Sequence, residues 1–127
     1  MRLQLSTLFV CGLSMAVIGA GTMPLLSIYA LRLGASTEAV STMIAAAYVA
    51  LAIGAAVAHR LAALAANPKR ALVVAGLLSA PMLGLLGQTS SIGQLAALFL
   101  GAWFLGGVAG TLIGLVFGLS RSLPQRN

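Results

Sequence analysis

An all-α membrane protein with four transmembrane helices is the fold class this sequence predicts, and three observations carry it. First, long runs hold almost no ionisable group: only Cys11 and Tyr29 between Leu3 and Leu31, only Tyr48 between Ala39 and Ala58, and none between Ala71 and Ser120. A helix rises about 1.5 Å per residue and a bilayer core is about 30 Å thick, so each run is long enough to span. Second, 61% of the residues are hydrophobic and 6% are charged, against about 25% charged in a soluble domain. Third, basic residues collect at the ends of the apolar runs, above all in His59 to Arg70, HRLAALAANPKR. This segment, about 59–70, is where the chain is expected to turn on the cytoplasmic side of a membrane.

Composition also narrows the chemistry. The formal charge is +6, but the basic residues sit at segment ends instead of clustering on a face with aromatics between them, which argues against nucleic acid as a partner. The single cysteine, Cys11, lies inside the first apolar run, so neither a disulfide framework nor a metal-ligand spacing is present. A nucleophile paired with a base and a carboxylate pair are both missing from the pattern, so an enzyme is not expected, and no catalytic residue, metal or cofactor is assigned.

The whole chain, 1–127, reads as a single membrane domain. The first helix is expected over about 5–31; its apolar stretch continues through MPLLSIYAL, well past the length of a secretion signal, so it is read as retained. At about 100° per residue, Thr7, Cys11, Ser14, Thr22 and Tyr29 fall on one narrow face. In lipid such groups need partners, so this polar stripe is expected to look into a helix bundle or a hydrated cavity. Pro24 removes a backbone donor from the helix.

A turn over 32–38 follows, with Gly34 as helix stop, Ser36 or Thr37 as the next N-cap, and Glu38 placed to complement the helix dipole. The second helix, about 39–66, repeats small residues at every fourth position, Ala46, Ala50, Gly54, Ala58, Ala62 and Ala66, a spacing that lets two backbones approach closely. Asn67-Pro68 is read as its end. The third helix, about 70–87, opens with Lys69-Arg70 and contains Pro81. The uncharged run from Ala71 to Ser120 would make a helix of about 75 Å, so it must break. The polar stretch Gly87 to Ser91 supplies the break, with a turn at 88–92. The fourth helix, about 93–119, carries Gly106, Gly110, Gly114 and Gly118 at fourth-residue spacing, a helix-packing signal whose partner lies in this chain or in another.

With four spans, Arg2, Arg60, Lys69, Arg70, Arg121 and Arg126 lie on one side and Arg32 on the other. The positive-inside rule then places both termini in the cytoplasm of a multi-pass protein of the plasma membrane, the inner membrane in a two-membrane cell, with the lipid bilayer as its first partner.

Thr22 to Thr37, the loop with Arg60 and Lys69-Arg70, Trp103 to Gly110 and Leu123 to Arg126 together resemble parts of the amino-terminal third of a major facilitator superfamily transporter, whose fold has twelve helices in two six-helix halves. Thr22 to Thr37, TMPLLSIYALRLGAST, followed by AAAYVALAIG, is similar to the family's first helix end, outer loop and second helix. Arg60 with the Lys69-Arg70 pair falls where the family has a glycine, aspartate and basic-residue loop motif. Trp103 to Gly110, WFLGGVAG, resembles the fourth-helix motif, and Leu123 to Arg126, LPQR, the connection to a fifth helix. The chain departs from that pattern at His59, Ala63 and Leu64, where the motif has glycine, aspartate and arginine. Trp103 stands where many proton-coupled members carry an arginine.

The resemblance implies transport of a small solute by alternating access. Ser14, Thr22 and Tyr29 on the first helix and Thr111 on the fourth are the candidates to line the path, and the 59–70 segment would help to close its inner end. Because the family's later helices are absent from this sequence, a truncated transporter is expected, completed by a missing half or by self-association. The alternative reading is a small oligomeric four-helix membrane protein or a non-transporting membrane subunit.

Overall fold

The computed structural model describes residues 2–64 and 67–122, leaving the side chains of 2–5, 8 and 119–122 outside the description. Ala66 and the 123–126 segment with Arg126 therefore lie outside the described residues, as do the side chains of Arg2 and Arg121. The architecture is all-helical, with α1 over Arg2–Arg32, α2 over Thr37–Leu64, α3 over Pro68–Leu86 and α4 over Ile92–Ser122. All four contain a span long and apolar enough to cross a membrane: Phe9–Arg32, Thr37–Leu64, Pro68–Leu86 and Ile92–Gly118.

The helix boundaries follow from local chemistry. Gly34 takes φ +87°, which a side chain would resist. Its N–H bonds to the Leu31 carbonyl at 3.0 Å and the Ala35 N–H reaches back to the Ala30 carbonyl at 3.0 Å. These two bonds close α1 in a Schellman motif, with Ala30 and Ala35 buried against each other's surroundings in one cluster. Ser36 caps α2, its Oγ accepting from the Ala39 N–H at 3.1 Å. Asn67 plays the same part for α3, accepting from the Lys69 N–H at 2.9 Å with Pro68 in the first helical position. The Asn67-Pro68 pair therefore starts the third helix, whereas the sequence alone reads it as the end of the second. At α4, Ser91 Oγ accepts from the Gln94 N–H at 3.3 Å while Gln94 Oε1 accepts from the Ser90 N–H at 3.4 Å, a displaced form of the capping box.

α4 is the axis of the molecule. α2 and α3 pack along it, while α1 meets α4 and α2 over shorter stretches. Two clusters form the interior. Near the 33–36 and 87–91 turns, Leu26 and Ala30 of α1 join Val40, Met43 and Ala47 of α2 and Leu95 and Phe99 of α4. Towards the link between α2 and α3, Ala58, Ala75, Val108, Ala109 and Leu112 unite α2, α3 and α4. Outside these clusters the surface is apolar: Phe9, Leu25 and Leu77 are each more than 60% exposed. A water-soluble monomer rarely shows apolar patches on this scale, whereas a lipid-facing helix requires them.

The closest helix contact is a reciprocal one between α2 and α4. A Cβ placed on Gly54 would collide with the Phe104 carbonyl oxygen and lie 3.2 Å from the Val108 nitrogen. One on Gly107 would collide with the Leu51 carbonyl oxygen and lie 3.0 Å from the Ala55 nitrogen. Each glycine thus faces the carbonyl one turn before the other, a geometry that aims a Cα hydrogen at an acceptor. The fourth-residue stripe behaves differently. Gly106 grazes Leu51 Cδ1 at 3.9 Å, while Gly110, Gly114 and Gly118 have open space where a Cβ would go. The close approach inside this chain falls on Gly107, one residue from the face that the spacing singled out.

Candidate functional site

Because α1 is held mainly at its Leu26–Ala30 end, a groove opens along it. The larger part, a cleft of about 740 Å³, runs between α1, α3 and α4 from Ile18 to Arg32, with Leu83, Leu95 and Phe99 on the opposite walls. A second cleft of about 390 Å³ continues toward the first turns of α1. There Gly12, Ala16 and Gly19 face Gly106 and Gly110 of α4. Ile18, Thr22 and Leu83 line both, so the two are continuous, with Thr22 at the junction. Glycines 12, 19 and 110 have nothing within 4 Å of a built Cβ, so these small faces are apart by at least a side chain's width. A third, smaller recess of about 340 Å³ near the α2–α3 link is lined by aliphatic side chains such as Leu61, Leu78 and Leu105.

Polar groups in the groove are few. Thr22 Oγ1 donates to the Gly19 carbonyl at 3.1 Å. Tyr29 Oη donates to the Thr89 carbonyl at 2.8 Å and lies 3.4 Å from that of Gly87, tying α1 to the 87–91 turn. Arg32, at the mouth of the larger cleft, is the one charged side chain in its lining. On the wall of the smaller cleft, Trp103 packs edge-on to Tyr48 with ring centroids 5.5 Å apart, and tilted against Phe99 at 5.7 Å.

The structure divides the residues of the predicted path. Thr22 and Tyr29 line the groove. Ser14 is exposed outside it, its Oγ donating to the Val10 carbonyl at 2.8 Å. Thr111 is half-buried and donates to the Gly107 carbonyl at 3.0 Å, without lining either cleft. Thr7 and Cys11 are exposed as well, so the polar stripe faces inward only beyond Ile18. The physical reason is visible in the bonds: serine and threonine hydroxyls that return to their own helix carbonyls need no partner from a neighbouring helix.

Arg60 lies in the last turns of α2, with Lys69 and Arg70 in the first turn of α3, all three exposed at the end opposite Arg32. Among the described residues no group of three or more His, Cys, Asp or Glu side chains is placed to hold a metal ion, and no buried side-chain nitrogen or oxygen lacks a hydrogen-bond partner. Gly107 and the cleft role of Arg32 were missed from sequence; the Gly106-Gly107 doublet was the available signal for the first. Compared with family models, curated proteins and solved structures, the chain matches none.

Proposed function

We propose that this chain crosses a plasma membrane four times, with its termini and the 59–70 segment in the cytoplasm, and forms one wall of an alternating-access path for a small solute, as in a major facilitator transporter. The observation that carries this reading is the groove along α1, which has Thr22 midway and is pinned at one end by Tyr29. Alternating access needs a site near mid-membrane and an element free to close over it. α1 fits that part, since Gly12 and Gly19 have open space toward the small face of α4 and Met15 is the α1 side chain that reaches the second cluster.

The topology is supported by an electrostatic oddity. Lys69 and Arg70 occupy the first turn of α3, where a helix dipole disfavours cations. Phosphate headgroups would compensate that cost, the anionic lipids of the inner leaflet most strongly. Accessibility tests the path. In a Cys11→Ser background, Thr22→Cys is expected to react with a membrane-impermeant methanethiosulfonate about tenfold faster than Leu77→Cys, which faces lipid in this reading. Equal protection of both would sink the solute-path assignment.

A second reading, self-association as a small oligomeric membrane protein, is favoured by the open Gly114 and Gly118 edge of α4, beyond the groove. Such an edge suits a close helix partner from another copy. Crosslinking in native membranes through Gly114→Cys tests this contact: efficient self-crosslinking supports the oligomer, and its absence counts against it.

A further inference from the structure

Resting on the transport reading, we infer that the 740 Å³ cleft takes an amphipathic anion, a hydrocarbon chain ending in a carboxylate, sulfonate or phosphate, with its head at Arg32 and its tail toward Ile18. The volume is within the usual range of small-molecule sites, about 300–1,000 Å³. Its length along α1 from Ile18 to Arg32 is about 21 Å at 1.5 Å per residue, enough for a long acyl chain.

The lining selects this chemistry by elimination. The walls are aliphatic and aromatic, among them Leu25, Leu26, Leu83, Leu86 and Phe99. The two hydroxyls on the lining already spend their protons, Thr22 on the Gly19 carbonyl and Tyr29 on the Thr89 carbonyl. A sugar or other polyol would therefore leave its own groups unpaired along most of the cleft, at a cost that grows with each hydroxyl. A cation meets Arg32, and the ammonium of a zwitterion finds no carboxylate on the lining. What remains is a group that accepts from a guanidinium fork, joined to a body that asks for no hydrogen bonds. Among the described residues no hydrogen bond or ion pair engages the Arg32 side chain, so its donors are available.

The chain's single tryptophan provides the readout. Trp103 packs tilted against Phe99, which lines the cleft, and itself lines the adjoining one at the tail end. The protein is placed in phosphatidylcholine nanodiscs and titrated with stearate spin-labelled near its terminal methyl. Saturable quenching of Trp103 is expected. The uncharged methyl ester should bind about tenfold more weakly, the factor that loss of one charge-assisted contact implies. Arg32→Gln should weaken the acid to the level of the ester, and Arg32→Lys should recover part of the difference. Acid and ester that quench alike, in linear proportion to their bilayer concentration, would overturn the inference even if neither variant folds.

Competition identifies the source of the anion. Displacement by phosphatidylglycerol in the disc marks a membrane lipid, and displacement by dodecyl phosphate alone marks a free amphiphile; either supports the shared chemistry. Binding at equilibrium involves no net movement, so it stands if Thr22→Cys proves shielded and the path assignment fails. Conversely, an accessible Thr22→Cys with no acid-selective quenching removes the amphiphile and leaves the path.

Discussion

At the scale of single residues, the contact between α2 and α4 is decided by two hydrogens. Gly54 and Gly107 each present a Cα hydrogen where any side chain would strike a carbonyl of the opposing helix. Gly107→Ala or Gly54→Ala is expected to lower unfolding stability in mixed micelles by about 1–3 kcal/mol, the usual cost of overpacking a close interface. Gly114→Ala, with open space at its Cβ, is expected to change it by less than about 1 kcal/mol, helix propensity being all that is altered. Titration with a denaturing detergent, followed by circular dichroism, compares them; similar losses at all three sites would contradict the packing described. Gly54 was legible in the sequence from its fourth-residue spacing of small residues. Gly107 was not, because a glycine repeat marks a smooth face without naming what touches it, and the true contact lies about 100° round the helix from Gly106. The hydroxyl stripe of α1 misled for a related reason. A serine such as Ser14, bonded to the Val10 carbonyl, is as content in lipid as in a bundle, so polarity alone could not tell which way it points.

At the scale of the element, helix ends were the most readable feature. They depend on neighbours within a few residues and not on the distant fold. The sequence marks Gly34 as the stop and Ser36 or Thr37 as the cap; the bonds show Gly34 closing α1 and put the cap on Ser36. Gly34→Ala forces a side chain into the left-handed region and is expected to cost about 1–2 kcal/mol, with faster hydrogen exchange at the Ala35 amide as the local sign. Asn67 shows the limit of such reading. A turn signal says that helices meet but not which of them owns the residue, and here the side chain serves α3. Tyr29→Phe acts between elements. It removes the bond to the Thr89 carbonyl, for an expected loss of about 1 kcal/mol, and frees the α1 end. If Tyr29 is the pin of the groove, a spin-label pair on α1 and α3 near Ile18 and Leu83 should show a broader distance distribution in that variant. An unchanged distribution would mean that the Leu26 and Ala30 contacts hold α1 unaided.

At the scale of the whole molecule, the arrangement of helices was the part that the sequence left open. α4 is apolar nearly all round, and the Ser14 and Thr22 hydroxyls of the α1 stripe bond to carbonyls of their own helix, so neither helix displays a face that has to turn inward. That α4 is the axis and α1 the loosely held member emerges only once shapes are packed, through the fit of Gly54 to Gly107 and the lack of any such fit along Gly12, Ala16 and Gly19. The segregation of charge was readable throughout, because it needs no packing information. Arg60, Lys69 and Arg70 sit at one end of the bundle and Arg32 at the other, next to the turn that Tyr29 anchors. Moving a cationic end across the hydrocarbon is costly, and the inner leaflet attracts basic residues, so the richer end should stay inside. Intact cells expressing Cys11→Ser with either Ser90→Cys or His59→Cys test this directly with an impermeant maleimide. Ser90→Cys, exposed beside the Arg32 end, is expected to label from outside, and His59→Cys only after the membrane is opened. The reverse pattern would invert the topology and carry the mouth of the Arg32 cleft to the cytoplasmic face, so that an amphipathic anion would have to enter it from within the cell.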